Sequence, residues 1–230
     1  MIKKLPSPRS VVPELEPVIR AWSLAMDQHQ LNLSASDWQI QNAEALLGRR
    51  IPRAIRAVYE MSNGAHLIGG NLILDKLTGD SESIAFANNA TLLRQWGWQV
   101  PNEVFVFGGD GSESVFGCWL PKAAENPDDA PIIQIAGPNS NMDYMAVAAT
   151  SFVALAKWRT AYYLLMDHPK YAAALEVLGL PKNLQNDDPD DDTLIEIGKW
   201  ADPEHPHFPP DAYKAQVSVQ WTRDNFGAGE

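Results

Sequence analysis

Residues 104–111, Val104-Phe105-Val106-Phe107-Gly108-Gly109-Asp110-Gly111, decide how the chain is to be read. Four consecutive β-favouring apolar residues run into a glycine-rich segment, and Val115-Phe116-Gly117-Cys118-Trp119-Leu120 soon resumes the apolar character. Two such runs with turn chemistry between them predict a hairpin. The glycines also invite comparison with a phosphate-binding loop. No Gly-Lys-Ser/Thr follows, however, and the next segment reads as a strand rather than a helix whose N-terminus could hold phosphate. A turn that uses glycine for positive φ is the better account. A third strand, Ile132 to Ala136, follows a loop containing proline and aspartate. Connections this short favour an antiparallel meander over crossover units.

Helical patterns flank this meander. After a leader, Val18, Trp22 and Ala25 recur at helical spacing, with Pro13 and Pro17 confined to the first turn or before it. Ser36 suits the N-cap of a second helix, with Trp38, Ala43, Leu46 and Leu47 as its stripe and Gly48 as its stop. Pro52 suits the first position of a third, in which Ile55, Val58 and Tyr59 line one face and Asn63-Gly64 supplies a left-handed end. Leu67-Ile68 and Leu72-Ile73-Leu74, either side of Gly69-Gly70, predict two short strands. Residues 75 to 90 are polar without clear period, and Thr91 to Trp98 fits a short helix or a turn around Gly97 equally well. The loop from Gly137 to Tyr144 leads into a long helix capped by Thr150 or Ser151, with Phe152, Leu155, Ala156, Tyr162, Tyr163 and Met166 at helical spacing. A further short helix runs from Pro169 to Leu178 and closes at Gly179.

The expected fold class is therefore α+β, a central and mainly antiparallel sheet with packed helices. Residues 1–35 form a leader and helix, 36–166 the domain, and 167–230 a helix followed by an acidic, Pro-rich extension packed on it. Trp200, Tyr213 and Trp221 argue that this extension is loosely structured rather than wholly disordered.

Charge and composition narrow the function. The 230 residues carry 18 basic and 29 acidic side chains, a net charge of -11. Such a surface repels phosphate backbones and anionic lipid and steers basic partners toward it. The last fifty residues, with Asp187-Asp188-Pro189-Asp190-Asp191-Asp192 at their centre, hold most of that excess. No apolar run approaches the roughly 18 residues of a membrane span, and the start Met1 to Pro6 has no apolar stretch behind it to make a signal peptide. Cys118 is the single cysteine, so no intrachain disulfide forms and a cytoplasmic location is expected.

The patterns that could carry chemistry are weak. Cys118 sits in an apolar strand and reads as an inert buried thiol. The aspartate run lacks the alternating ligands, central glycine and terminal glutamate of a calcium loop and reads as a solvated acidic loop. His205 and His207, near Asp202 and Glu204, make only a faint metal pattern. Neither a Gly-x-Ser-x-Gly elbow nor a His-Glu-x-x-His motif is present. No cofactor or metal is expected, and an enzyme reading has no residues to name. A hydrolase would need titratable groups converging in a pocket, which a sequence does not display. Of the eight tryptophans, Trp38 and Trp158 lie near helical stripes and read as core, whereas Trp96 and Trp98 flank Gly97. An exposed tryptophan beside carboxylates makes a good anchor for a basic protein. The expected contacts are Trp98, Asp110, Glu113, Asp187, Asp188, Asp190, Asp191 and Asp192.

Three pieces in this order resemble the SUKH superfamily, which includes bacterial immunity proteins and fungal cell-wall-assembly regulators. They are Ala43-Glu44-Ala45-Leu46-Leu47-Gly48 with Ile51-Pro52 and the helix ending Asn63-Gly64, then Val104 to Gly111, then Pro131 to Ile135 with Ala149-Thr150-Ser151-Phe152. The likeness spans about residues 36 to 160. The family often has a further Gly and an acidic residue after the Asp-Gly, where this chain has Ser112-Glu113-Ser114. The resemblance implies an α+β domain whose signature residues are largely structural and whose variable surface selects a protein partner, often a toxin domain. Together with the charge, it implies an acidic face that covers the basic surface of a nuclease or similar toxin. The alternative it leaves is a regulatory scaffold.

Overall fold

The structure, a computed structural model, describes residues 5–77, 89–111, 114–121, 126–137, 145–186, 189–205 and 219–226. Its helices are α1 (Glu16–Leu24), α2 (Asp37–Leu47), α3 (Arg53–Met61), α4 (Asn89–Gln95), α5 (Phe152–Leu165), α6 (Ala172–Leu178), α7 (Asp191–Ala201) and α8 (Val219–Phe226). Its strands are β1 (Gln30–Leu31), β2 (Ala65–Leu67), β3 (Leu72–Leu74), β4 (Val104–Gly109), β5 (Ser114–Trp119), β6 (Ile132–Ala136) and β7 (Met145–Ala149). Among the described residues the strands form one sheet in chain order, each antiparallel to the next. The expected α+β meander is what the chain builds.

Local chemistry explains most element ends. The Ser36 hydroxyl accepts from the Gln39 N–H while the Gln39 side chain accepts from the Ser36 N–H, a reciprocal capping box at the start of α2. Gly48 and Gly179 end α2 and α6 in the left-handed conformation. The hairpin of β4 and β5 carries a bulge between Val106 and Gly108, and Gly108 lies opposite Leu74 of β3.

Both faces of the sheet are covered, which is why its strands read as continuous apolar runs rather than alternating ones. One face presents Phe105, Phe107, Phe116, Cys118 and Ile132 to a core shared with α1, α2, α3, α5 and α6. Trp22 of α1, fully buried, donates its indole N–H to Thr160 of α5 at 2.8 Å. The other face presents Val104, Val106, Trp119, Ile133, Ile135 and Val147, against which Leu93 of α4 and Trp221 and Phe226 of α8 pack. Arg223 of α8 also donates to the buried Glu103 carboxylate at 2.6 Å.

Several expectations need correction. Trp38 is not core: it is 68% exposed, as is Leu46 at 63%, and α2 buries Ile40 and Ala43 instead. Met166 lies just past α5 and is exposed. Trp158 is partly buried against the core. Residues 145–149 form strand β7 rather than lead-in to α5; Met-Ala-Val-Ala-Ala has weak β-propensity, so the strand signal was lost. The Thr91–Trp98 ambiguity resolves as α4, followed by Gly97 at positive φ. The acidic run, expected as a solvated loop, in part starts a helix: Asp190 caps α7 by accepting from the Thr193 N–H, and Asp191 and Asp192 occupy the first turn, where the helix dipole favours negative charge.

One histidine has a structural consequence. His29 Nδ1 accepts from the backbone N–H of Ile68 at 3.1 Å, and Nε2 lies 3.1 Å from the Trp22 carbonyl. This pairing requires the neutral ring with its proton on Nε2. Ile68 itself holds φ 50, an unusual backbone for a β-branched residue that the His29 bond helps to fix. Burial pushes the His29 pKa down to about 4, against partial compensation from the Trp22 carbonyl. A folded-state pKa below the unfolded value means stability that is whole above pH 6.5 and fades as pH falls toward 4. A His29→Gln variant is expected to lose about 2–3 kcal/mol less than wild type over that window. Denaturant unfolding at a series of pH values measures it, and parallel pH profiles for the two proteins would contradict it.

Candidate partner-binding site

A cavity of about 290 Å³ opens where β7, α5 and α7 meet. Helical spacing sets two of its walls. On α5, Trp158, Arg159, Tyr162 and Tyr163 lie at i, i+1, i+4 and i+5; on α7, Asp191, Leu194, Ile195 and Gly198 lie at i, i+3, i+4 and i+7. The small side chains Ala146, Ala148 and Ala149 of β7 leave the space that these helices do not fill. Trp158 and Tyr162 are tilted against each other at 6.0 Å, and the Tyr162 and Tyr163 rings meet edge to face at 4.6 Å.

The polar groups of the cavity are mostly committed. Arg159, only 8% exposed at its side chain, pairs with Asp110 at 3.3 Å, and its guanidinium lies 4.7 Å from the Trp158 ring centre and 5.0 Å from that of Phe116. Asp110 also accepts from Ser114 at 2.9 Å and from Gln134 at 3.3 Å. The Arg159 Nε, by contrast, is buried without a hydrogen-bond partner. Burial raises the Tyr163 pKa, partly offset by Arg159. The Asp202 carboxylate accepts from the Thr150 N–H at 2.7 Å and its hydroxyl at 2.5 Å, and His205 Nε2 lies 2.9 Å from the Val147 carbonyl, so residues 202–205 seal the outer edge of β7. Asp190, Asp191 and Asp192 stand exposed at the start of α7, with Asp191 lining the cavity itself. Across Ala154 and Asp202 the cavity adjoins a second groove whose walls include Glu14, Asp128, Asp129 and Glu204.

Of the residues expected to touch a partner, Asp191 lines the cavity, while Asp190 caps α7 and Asp192 is exposed in its first turn. Asp110 is placed elsewhere: its carboxylate is 90% buried beneath the cavity in the pair with Arg159, because a guanidinium taken from water needs an anion beside it. Trp98 is half-buried and packs on the second face of the sheet. Glu113, Asp187 and Asp188 lie outside the described residues, as does His207. The aromatic wall escaped sequence reasoning as a site because its residues doubled as the stripe of α5, although Trp158 followed one turn later by Tyr162-Tyr163 was a signal.

The Cys118 thiol is fully buried and its pKa is pushed up by burial, which leaves no nucleophilic thiolate. Among the described residues no group of three or more His, Cys, Asp or Glu is placed to hold a metal, and no helix is long and apolar enough to cross a membrane. The arrangement suits recognition by shape and charge. No curated protein matches the chain. A family model, that of the SMI1 / KNR4 family (SUKH-1), matches residues 34–157.

Proposed function

Because the chain belongs to the SMI1 / KNR4 family (SUKH-1), we propose that it is a non-enzymatic protein-binding module of the cytoplasm, an immunity protein that occludes a basic toxin domain such as a nuclease. The observation that supports this reading is the run of exposed carboxylates Asp190, Asp191 and Asp192 at the start of α7, with Asp191 at the edge of an aromatic-lined opening, on a molecule of net charge -11. Trp158, Arg159, Tyr162 and Tyr163 and the whole of α7 follow the last matched residue, Lys157. Inhibition then needs no bond to be made or broken: the acidic face lies over the basic surface that the toxin uses for its substrate, and complementary charge speeds the encounter.

The test begins with the protein that co-purifies from the native host, compared with the product of the adjacent gene. Asp191→Lys, Asp192→Lys and Glu196→Lys in combination avoid the Asp190 cap and are expected to slow association about tenfold or more at low salt, with the difference shrinking at high salt. Unchanged rates at low salt remove this face from the interface. A co-purifying partner without toxic activity would favour a regulatory scaffold instead.

A further inference from the structure

Opposite in sign to the start of α7 is a groove of about 810 Å³ between the end of α2, the start of α3 and residues 120–121 and 126–128. It shares Arg53 and Asp128 with the second groove, which in turn adjoins the cavity, so three openings follow one another from α7 to α2. Four of the 18 basic residues, Arg49, Arg50, Arg53 and Arg56, line it against two carboxylates, Glu44 and Asp128. Both carboxylates are committed to the backbone. The half-buried Glu44 accepts from the Ile51 N–H at 3.1 Å, and Asp128 accepts from the Arg53 N–H at 2.6 Å and from the Arg53 side chain.

The arginines, by contrast, present charge to solvent. The Arg53 side chain is 66% exposed where Asp128 is 23%, and Arg50 is exposed with no ion pair or hydrogen bond among the described residues. Arg49 donates to the carbonyls of Asn102, Glu103 and Leu120, which hold its guanidinium in place without cancelling its charge. A helix start disfavours cations, yet Arg53 and Arg56 stand at the first and fourth positions of α3, whose first turn holds no acidic residue. Helix stability alone does not account for that placement. The exposed Trp38 lies one turn before Gln41 of the groove wall, about 15 Å along α2 from Gly48, and adds an apolar edge. A nucleic-acid duplex or a lipid surface must approach the whole molecule, whose net charge of -11 repels it. A short acidic segment meets the arginines locally, and the fork of a guanidinium matches a carboxylate.

We propose that this groove receives an acidic segment of the partner protein, its carboxylates on Arg50 and Arg53 and an apolar side chain on Trp38, while the partner's basic surface faces the carboxylates of α7. The inference rests on the protein-binding reading above and adds a second contact of opposite sign. Two contacts of opposite sign admit the partner in one orientation, because the reversed pose sets like charges together.

Four probes test it on the full chain: acetyl-Leu-Ser-Gly-Ser-Glu-Asp-Glu-amide, its neutral analogue acetyl-Leu-Ser-Gly-Ser-Gln-Asn-Gln-amide, phosphatidylserine vesicles and a DNA duplex. In titrations followed by amide and indole NMR, the acidic peptide is expected to shift the Trp38 indole and the amides of Gln41, Arg50 and Arg53, and the neutral peptide to bind about tenfold more weakly. Arg50→Glu and Trp38→Ser, both at exposed positions, are each expected to weaken the acidic peptide about fivefold or more, with thermal melts unchanged. Absence of shifts at these residues overturns the proposal, as does equal affinity for the two peptides or an Arg50→Glu variant that binds like wild type. If the vesicles or the duplex bind more tightly than the acidic peptide and lose that binding in Arg50→Glu, the groove serves a membrane or a nucleic acid and the partner segment is overturned. The charge reversal of α7 tests the acidic face by itself, so failure of the groove leaves the protein-binding reading to that measurement.

Discussion

Gly108→Ala is expected to destabilise the protein by about 3 kcal/mol or more, enough to leave much of it unfolded. A Cβ at this position would lie 1.8 Å from the Ile73 carbonyl oxygen, 2.7 Å from its carbon and 3.0 Å from the Leu74 Cα. All three are backbone atoms of β3, so no side chain can rotate away. Relief requires β3 and β4 to separate at the Leu74–Gly108 pair, next to the bulge that already disturbs the β4–β5 ladder. Gly48→Ala is the control. Its φ of 64 penalises alanine, but no atom lies within 4 Å of the added carbon, so a loss of only about 1–2 kcal/mol is expected. Denaturant midpoints of the two variants give the comparison, and a Gly108→Ala midpoint equal to that of Gly48→Ala would refute the close approach of β3.

The second large effect belongs to the Asp110–Arg159 pair. Asp110→Ala strands a guanidinium that is 8% exposed, and Ser114 and Gln134 lose an acceptor with it. Breaking a buried pair from one side costs about 3–5 kcal/mol. Replacing both members, Asp110→Leu with Arg159→Met, removes the charge together with its counter-ion and is expected to recover most of that loss. A double-mutant cycle on unfolding free energies reads the coupling directly. Losses that simply add would show that the two side chains do not depend on each other.

That pair also marks a limit of what the sequence displays. Asp110 in a Gly-Gly-Asp-Gly turn looks exposed, and its charge invites a docking role; its partner stands 49 residues later on another element. Burial of a charge is a tertiary fact that no local pattern carries. The hairpin around it was legible because apolar runs and glycines act locally, and so were the Ser36 cap and the Gly48 and Gly179 stops. The cavity was not. One wall is β7, whose alanines carry little strand signal, and another is α7, whose first turn reads as a solvated acidic run until Asp190 is seen capping it. Trp38 misled for the opposite reason: its spacing matched a stripe, but α2 turns Ile40 and Ala43 inward and leaves the indole in water.

The covering of the sheet sets a timetable for synthesis. Val106, Trp119 and Ile133 belong to strands made early, yet Trp221, Phe226 and the Arg223 that meets Glu103 come from the far end of the sequence. Until residues 221–226 have been made, this face has only its early-made cover, such as Leu93, and the rest stays open to holding chaperones on the emerging chain.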